Sequence, residues 1–395
     1  MSARRAVVVV LDACGVGALP DAADYADAGT NTLAHLAETV GGLRVPTLQR
    51  LGLGSIVPLR GVPPAEAPAI HGRLHALGPG KDSTAGHWEL MGVVTETPAP
   101  TYPNGFPPVV IDAIRSATGR AVIGNRPCEG LAAIERWGDE HLRSGDLIVY
   151  TSADSVLQIA AHDDVLPVEA LHAACACVRA ALPDGHAVGR VIARPFTGEP
   201  GAFARLPARR DFSLPPPALS YLDAIAAAGL PVHAVGKVGQ LFAGAGIDHE
   251  HPGADNVQAI AATTLLLDSL EVGLVFTNLV ETDTVFGHRK DAAGFAAALE
   301  RIDAAVADWL ARLRPGDLLV LTADHGCDVT HPSADHTREH APLLAVAPGV
   351  GGGRHDGPLA DVGASVLRWL TGTDAPELPG APIPALKPST TLKGV

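Results

Sequence analysis

Lysine is almost missing from this chain. Of 29 basic residues among 395, only Lys81, Lys237, Lys290, Lys387 and Lys393 are lysines, and 43 acidic residues bring the formal net charge to −14. That balance argues against a nucleic-acid binder, whose affinity rests on clustered Lys and Arg releasing counterions. It argues equally against docking on an anionic membrane. Small anionic substrates stay open, because they respond to the local field rather than to the net charge. Cysteine is sparse too. Cys14, Cys128, Cys175, Cys177 and Cys327 are an odd set in a long chain, which fits a reduced, cytoplasmic compartment better than a disulfide framework. No run of about 18 apolar residues occurs, which argues against a transmembrane helix. Arg4-Arg5 before Ala6 to Leu11 has the outline of a signal peptide, but the apolar run is short and meets Asp12 at once, as a buried strand would. Gly15 and Gly17 follow without the third glycine of a dinucleotide fingerprint.

What the chain does have is a series of short apolar runs ending at polar residues: Ala6 to Leu11, Leu147 to Tyr150, Val232 to Val235, Leu274 to Phe276, Leu318 to Leu321 and Leu343 to Val346. Helical patterns lie between them. In the clearest, Phe295, Leu299, Ile302, Val306, Trp309, Leu310 and Leu313 share one face, and Pro315-Gly316 stops the helix. Strands alternating with helices predict an α/β fold with a mostly parallel sheet flanked by helices. At roughly 150 residues per domain the length suits two or three domains. Pro-rich stretches at Thr97 to Pro100 and Leu214 to Pro217 read as boundaries. They predict a discontinuous core over 1–97 and 217–395 and a smaller α/β domain inserted over 98–216. The tail from Gly372 onward, rich in Pro, Thr and Gly, has little call for regular structure.

In open α/β sheets the site lies at the carboxyl ends of the strands. Those ends carry Asp12, Asp154, Lys237, Asp283 and Asp324-His325. Any one of them suits a helix cap or a solvated loop; five together point to chemistry. Thr322 to Gly326 continues to His331, Asp335-His336 and His340, and Glu281 and Asp283 are followed by His288, so acid and imidazole recur after a strand. Carboxylate with imidazole suits Mn²⁺, Zn²⁺ or Fe²⁺, whereas carboxylates alone suit Mg²⁺. With Asp12 the set is Asp12, Asp283, His288, Asp324, His325 and His336, enough for two metal ions that clamp a phosphoryl group. Gly80 to Glu89 supplies hydroxyls at Ser83 and Thr84 where a helix can begin. A metal-bound hydroxyl there is a nucleophile, and Asp82 or Ser83 serves equally as an N-cap. His87, Trp88 and Glu89 read as packing beside it.

These strings carry a resemblance. Val10-Leu11-Asp12 with Gly15 to Gly17, Gly80-Lys81-Asp82 with Gly86 to Glu89, Tyr150 to Ile159, Gly189 to Phe196, Gly236-Lys237, Asp283 with Gly287-His288-Arg289, and Thr322 to Gly326 continuing to Asp335 through Glu339 together resemble the bacterial phosphopentomutases of the alkaline phosphatase superfamily, over almost the whole length. The resemblance implies a superfamily core with an inserted cap, and two Mn²⁺ ions, one on Asp12, Asp324 and His325, the other on Asp283, His288 and His336. It implies a phosphorylated hydroxyl between them, primed by a sugar bisphosphate such as glucose 1,6-bisphosphate. By position that residue is Ser83, with Thr84 as its rival; the family usually has Thr directly after Lys-Asp. Cys327 stands where the family commonly has Asn, as an inert buried thiol or an oxidation-sensitive one.

The activity so implied is interconversion of ribose or deoxyribose 1-phosphate and 5-phosphate through a bisphosphate. A distal phosphate calls for a cationic clamp, for which Arg190, Arg205, Arg209 and Lys237 are candidates, with Asp154 on a sugar hydroxyl. Cap closure would exclude water from the phosphoenzyme. A related phosphatase or phosphoglycerate-type mutase, or a metal-dependent binding protein without catalysis, would use the same ligands. No protein partner is implied. Lys81 and Lys237, both inside these strings, look chosen for a compact ammonium in a chain that otherwise uses Arg.

Overall fold

The computed structural model describes residues 4–66, 68–152 and 155–386. They fall into two compact units, Met1–Thr97 with Pro216–Val395, and Pro98–Pro215.

The first unit is built on a nine-stranded sheet. Its central strand, Arg5–Leu11, is buried at every position and pairs in parallel with Gly273–Leu279 on one side and Asp317–Thr322 on the other. Strands hidden on both faces read as unbroken Val/Leu runs, and this one does. Gly273–Leu279 pairs in parallel with Val232–Val235, which pairs in parallel with His249–His251. The other flank departs from the parallel expectation. Asp317–Thr322 pairs antiparallel with Ala341–Val346, which pairs antiparallel with Ile70–His75. Helix Ala292–Arg312 packs with Phe295, Leu299, Ile302, Val306 and Trp309 buried, the stripe its spacing predicts, and it ends before Pro315-Gly316. Asp303 lies on that same buried stripe. It accepts the backbone N–H groups of Thr47 and Leu48 at 3.1 and 2.7 Å and so caps helix Pro46–Arg50. At the sheet's other end Arg5 forks onto Asp317, Nε to Oδ1 at 2.9 Å and Nη2 to Oδ2 at 2.5 Å, with both groups buried. Among the described residues no helix is long and apolar enough to cross a membrane.

The second unit carries a six-stranded mixed sheet. Leu147–Thr151 and Val156–His162 are antiparallel neighbours, and Val156–His162 pairs in parallel with Arg190–Thr197. One face is covered by helices Pro108–Thr118 and Val168–Ala181 through Val110, Ile114, Leu171 and Val178. The other is covered by helix Gly130–Ser144 through Ala133, Ile134 and Trp137, against Tyr150 and Phe196.

Candidate active site

Three parallel strands in register deliver their next residues to one edge. Val10 stands opposite Thr322 and Leu11 opposite Leu279, so the chain leaves the sheet at Asp12, at Asp324-His325 and toward Asp283 side by side. Asp283 lies in the π-helical turn Thr282–Gly287, with His288 directly after it. His336 returns on the loop before Ala341–Val346. After Asp12 the backbone enters the left-handed region at Ala13, φ 65°, which points the Ala13 N–H at Asp324 Oδ1, 3.2 Å away.

The six sequence-predicted ligands converge. Ligand atoms of Asp12, Asp324 and His325 lie within 4.8 Å of one another, as do those of Asp283, His325 and His336, and those of Asp283, His288 and Cys327. His325 Nε2 stands 3.4 Å from both Asp12 Oδ1 and Asp324 Oδ2. Asp283 Oδ1 faces His288 Nε2 at 3.3 Å and His336 Nε2 at 3.4 Å. His288 is oriented from behind by Nδ1, 2.7 Å from the Ala334 carbonyl. Asp12 Oδ1, Asp283 Oδ1 and Asp324 Oδ2 are buried without a hydrogen bond.

Electrostatics make the same point. Burial, with Asp324 and Asp283 alongside, pushes the Asp12 carboxyl well above its ordinary pKa. Burial works in the same sense on Asp324 and Asp283, but the facing imidazoles outweigh it and hold both below the usual carboxylate range. Burial also lowers the pKa of His325, which favours the neutral imidazole that ligates metals. Three carboxylates confined with three imidazoles, and oxygens left unsatisfied, form a donor set that divalent cations complete. The residues fit two such ions.

Ser83 opens helix Ser83–Leu90, and Asp82 caps it by accepting from the N–H groups of Thr84 and Ala85. Ser83 Oγ lies 3.2 Å from His325 Nε2. Capping and site placement are thus compatible at adjacent residues. His87 joins the parts. Its Nδ1 donates to the Ser83 carbonyl at 2.8 Å, an acceptor, which assigns the proton to Nδ1, and it stands 3.1 Å from Asp324 Oδ2. Its Nε2 then accepts from Asn278 Nδ2 at 3.2 Å, and the same amide donates to Asp12 Oδ2 at 3.0 Å. Trp88 and Glu89 pack beside this core. Trp88 donates to the Leu241 carbonyl at 2.8 Å, and Glu89 accepts from Leu77 and Gly78 N–H. Gly86 lies against the strand end so closely that a Cβ there would sit 2.4 Å from the Asp324 carbonyl oxygen.

Other candidates resolve into supporting parts. Lys81 pairs with Asp27 at 2.9 Å, and Arg338 forks onto Asp21 while donating to the Gly80 carbonyl at 2.7 Å, so both tether the loop that precedes Ser83. His331 and His340 turn to backbone carbonyls, those of Ala26 and Gly17. Glu339 is buried and accepts from Gly17 N, Thr32 N, Thr32 Oγ1 and Thr337 Oγ1. Lys237 follows strand Val232–Val235, and its charge lowers the pKa of Asp12 against the effect of burial.

The arginine candidates lie in the second unit. Arg190 pairs with Asp211 at 3.4 Å, Arg209 forks onto Asp211 at 2.7 and 2.8 Å, and Arg205 pairs with Glu129. Between them stands a residue that sequence reasoning passed over. Arg194 has its Nε buried without a partner, and burial, then the charges of Arg209 and Arg205, lower its pKa. The Tyr150 hydroxyl beside it is buried and unpartnered as well. Asn278 and Arg194 were both inside apolar strand strings, where their side chains give no periodic signal. Asp154 lies outside the described residues.

A family model described as the metalloenzyme superfamily matches residues 4–371. A phosphopentomutase of Anaeromyxobacter sp. (strain K) is 51% identical over 371 residues, covering 93% of this chain and 95% of the relative. Another, from Caldanaerobacter subterraneus subsp. tengcongensis, is 48% identical over 368 residues, covering 92% and 93%. A solved structure of a Pyrococcus horikoshii protein, 14% identical, matches with TM-score 0.50 over 95% of this chain and 99% of that one, which speaks for the fold alone.

Proposed function

The chain belongs to the phosphopentomutase family of the metalloenzyme superfamily, and from that premise we propose that it moves a phosphoryl group between C1 and C5 of ribose or 2-deoxyribose through phosphorylated Ser83. The observation that carries the assignment to Ser83 is its hydroxyl, 3.2 Å from His325 Nε2 among the convergent carboxylates and imidazoles.

The bookkeeping is simple. The free hydroxyl of the pentose monophosphate attacks the phosphorus on Ser83; the new O–P bond forms as the Oγ–P bond breaks, and the hydroxyl proton passes, net, to Ser83 Oγ. The resulting pentose bisphosphate turns over within the site. Ser83 Oγ then attacks the other phosphorus, the bond from that phosphorus to the sugar oxygen breaks, and the Oγ proton passes, net, to that oxygen as the isomeric monophosphate is released. Priming of Ser83 by a sugar bisphosphate such as glucose 1,6-bisphosphate starts the cycle. Asp12, Asp324 and His325 would hold one divalent ion and Asp283, His288 and His336 a second, and bound there the pair would supply charge neutralisation for the transferring group and acidify the Ser83 hydroxyl. Mixed carboxylate and imidazole donors suit Mn²⁺.

This chain's own residues do the rest. Helix Ser83–Leu90 starts at the nucleophile, so its positive dipole end favours phosphate oxygens, while Asp82 takes the Thr84 and Ala85 N–H groups. His87 and Asn278 tie the Ser83 carbonyl to Asp324 and Asp12, which fixes nucleophile and ligands relative to one another. Lys237 adds a positive point charge. The arginines of the second unit, Arg190, Arg205 and Arg209 around Arg194, suit a phosphate monoester by their forked donors, and we assign Asp154 to a sugar hydroxyl. All five cysteines are free, which suits the cytoplasm.

Incubation with glucose 1,6-bisphosphate followed by phosphopeptide mapping tests the nucleophile; label on Thr84 alone would overturn Ser83. Conversion of ribose 5-phosphate to ribose 1-phosphate, measured beside phosphate release, tests the reaction. Dominant release would replace the mutase by a phosphatase.

A further inference from the structure

We infer that Cys327 is a sulfur donor to the ion held by Asp283, His288 and His336, so that this second group prefers a thiophilic divalent ion while the group of Asp12, Asp324 and His325 stays an oxygen-and-nitrogen site. The inference rests on the two-metal reading above.

Cys327 sits two residues after His325, and its backbone N–H is pinned to Thr32 Oγ1 at 3.0 Å. Its thiol is buried, yet it is not placed as an apolar filler. Sγ lies within 4.8 Å of the ligand atoms of both Asp283 and His288. Among the described residues its hydrogen-bonding contact is long, 3.8 Å to the Asp335 carbonyl. A second observation points at the same spot. Asp283 Oδ1, 2% exposed as a residue, has no hydrogen-bond partner and faces His288, whose ligand atom lies within 4.8 Å of the thiol. Room is kept by Gly287, where a Cβ would stand 3.1 Å from Sγ and crowd it.

The distances suit ligation. Metal bonds of about 2.0 Å to oxygen or nitrogen and about 2.3 Å to sulfur give tetrahedral edges of roughly 3.5 Å. The cluster's upper limit of 4.8 Å exceeds that by about an ångström, which rotation of a cysteine side chain covers. On ligation the S–H proton passes to solvent as the S–metal bond forms, with no change of oxidation state. Carboxylate and imidazole sites already bind Zn²⁺ and Co²⁺ more tightly than Mn²⁺, and a thiolate widens that preference.

The experiment uses the full chain stripped of metal and reloaded with Co²⁺. We expect two Co²⁺ per chain and a near-ultraviolet thiolate-to-cobalt charge-transfer absorption. Cys327→Asn and Cys327→Ser are expected to keep two Co²⁺ and lose that absorption, and to cut the preference for Zn²⁺ over Mn²⁺ at one site by about 10–100-fold. Cys14→Ser is expected to keep it. Two bound Co²⁺ without the absorption in the wild type, or an absorption that survives Cys327→Asn, would overturn the inference and leave the two-metal reading standing. Fewer than two bound Co²⁺ in the wild type would overturn the two-metal reading and the inference with it.

Discussion

Replacing Gly86 by Ala adds one methyl group at a place where the helix of the proposed nucleophile Ser83 meets the strand end that carries Asp324 and His325. The new Cβ would stand 2.4 Å from the Asp324 carbonyl oxygen, 2.7 Å from its Cβ and 2.8 Å from its carbonyl carbon. These are backbone and near-backbone atoms, so no side chain can swing aside. Restoring ordinary contact at about 3.4 Å moves the helix by about an ångström from the strand end. Ser83 begins the same helix, three residues earlier, and its Oγ distance of 3.2 Å to His325 Nε2 grows with that shift. A misplacement of about 1 Å costs on the order of 10²-fold in rate, or about 2.7 kcal/mol of activation free energy. Helix propensity works in the opposite direction, since Ala exceeds Gly by about 1 kcal/mol in a helix interior, so any loss belongs to the clash. The assay is kcat for ribose 5-phosphate to ribose 1-phosphate, with the rate of phosphoenzyme labelling, at a temperature where circular dichroism shows both proteins folded. A Gly86→Ala variant with kcat within about twofold of the wild type would refute the claim that this apposition positions Ser83.

Four further outcomes are expected. Arg194→Gln should raise the urea midpoint, because it removes a half-buried cation disfavoured by desolvation and then by Arg209 and Arg205, while raising KM for pentose phosphate at least about tenfold; an unchanged KM would remove Arg194 from the substrate's path. Arg5→Ala should destabilise the first unit by about 3–5 kcal/mol in urea titrations, since it strands the buried Asp317 carboxylate; a loss below about 1 kcal/mol would deny that the pair is desolvated. Asp211 is raised by burial but more strongly lowered by Arg209, Arg190 and Arg194, so its folded pKa lies below the ordinary 3.8. Its stabilisation is therefore complete above that value and lost as pH falls through the folded pKa, and Asp211→Asn should flatten the acid limb of stability below about pH 4; an unchanged limb would contradict it. Chelation should lower the melting temperature of the wild type, because Asp12, Asp283 and Asp324 are then left confined together, and added Mn²⁺ should restore it; insensitivity to chelator would count against resident ions.

The sequence by itself determined the six strands that read as apolar runs, the ligand types and where to look for them; less apolar strands such as Ile70–His75 and His249–His251 left no such mark. Valine-rich runs such as Arg5–Leu11 are buried on both faces, and their composition records that directly. Asp and His directly after such runs mark the catalytic edge because parallel strands end together. The antiparallel flank formed by Ala341–Val346 and Ile70–His75 was hidden, since strand direction leaves no mark in composition. Three things only the tertiary structure decided. Lys81 and Lys237 share a motif-borne lysine signature, but Lys81 is tied to Asp27 as a loop tether, while Lys237 acts on Asp12 through its charge. The resemblance already favours Ser83 over Thr84 by position, and the 3.2 Å from its hydroxyl to His325 Nε2 comes from helix phase. His87, Asn278 and Cys327 acquire their parts from residues far away in the chain: His87 and Asn278 lie 191 positions apart yet share a hydrogen bond. A sequence lists which donors exist; which atom meets which is set by the register of the sheet and the close approach that Gly86 and Gly287 allow.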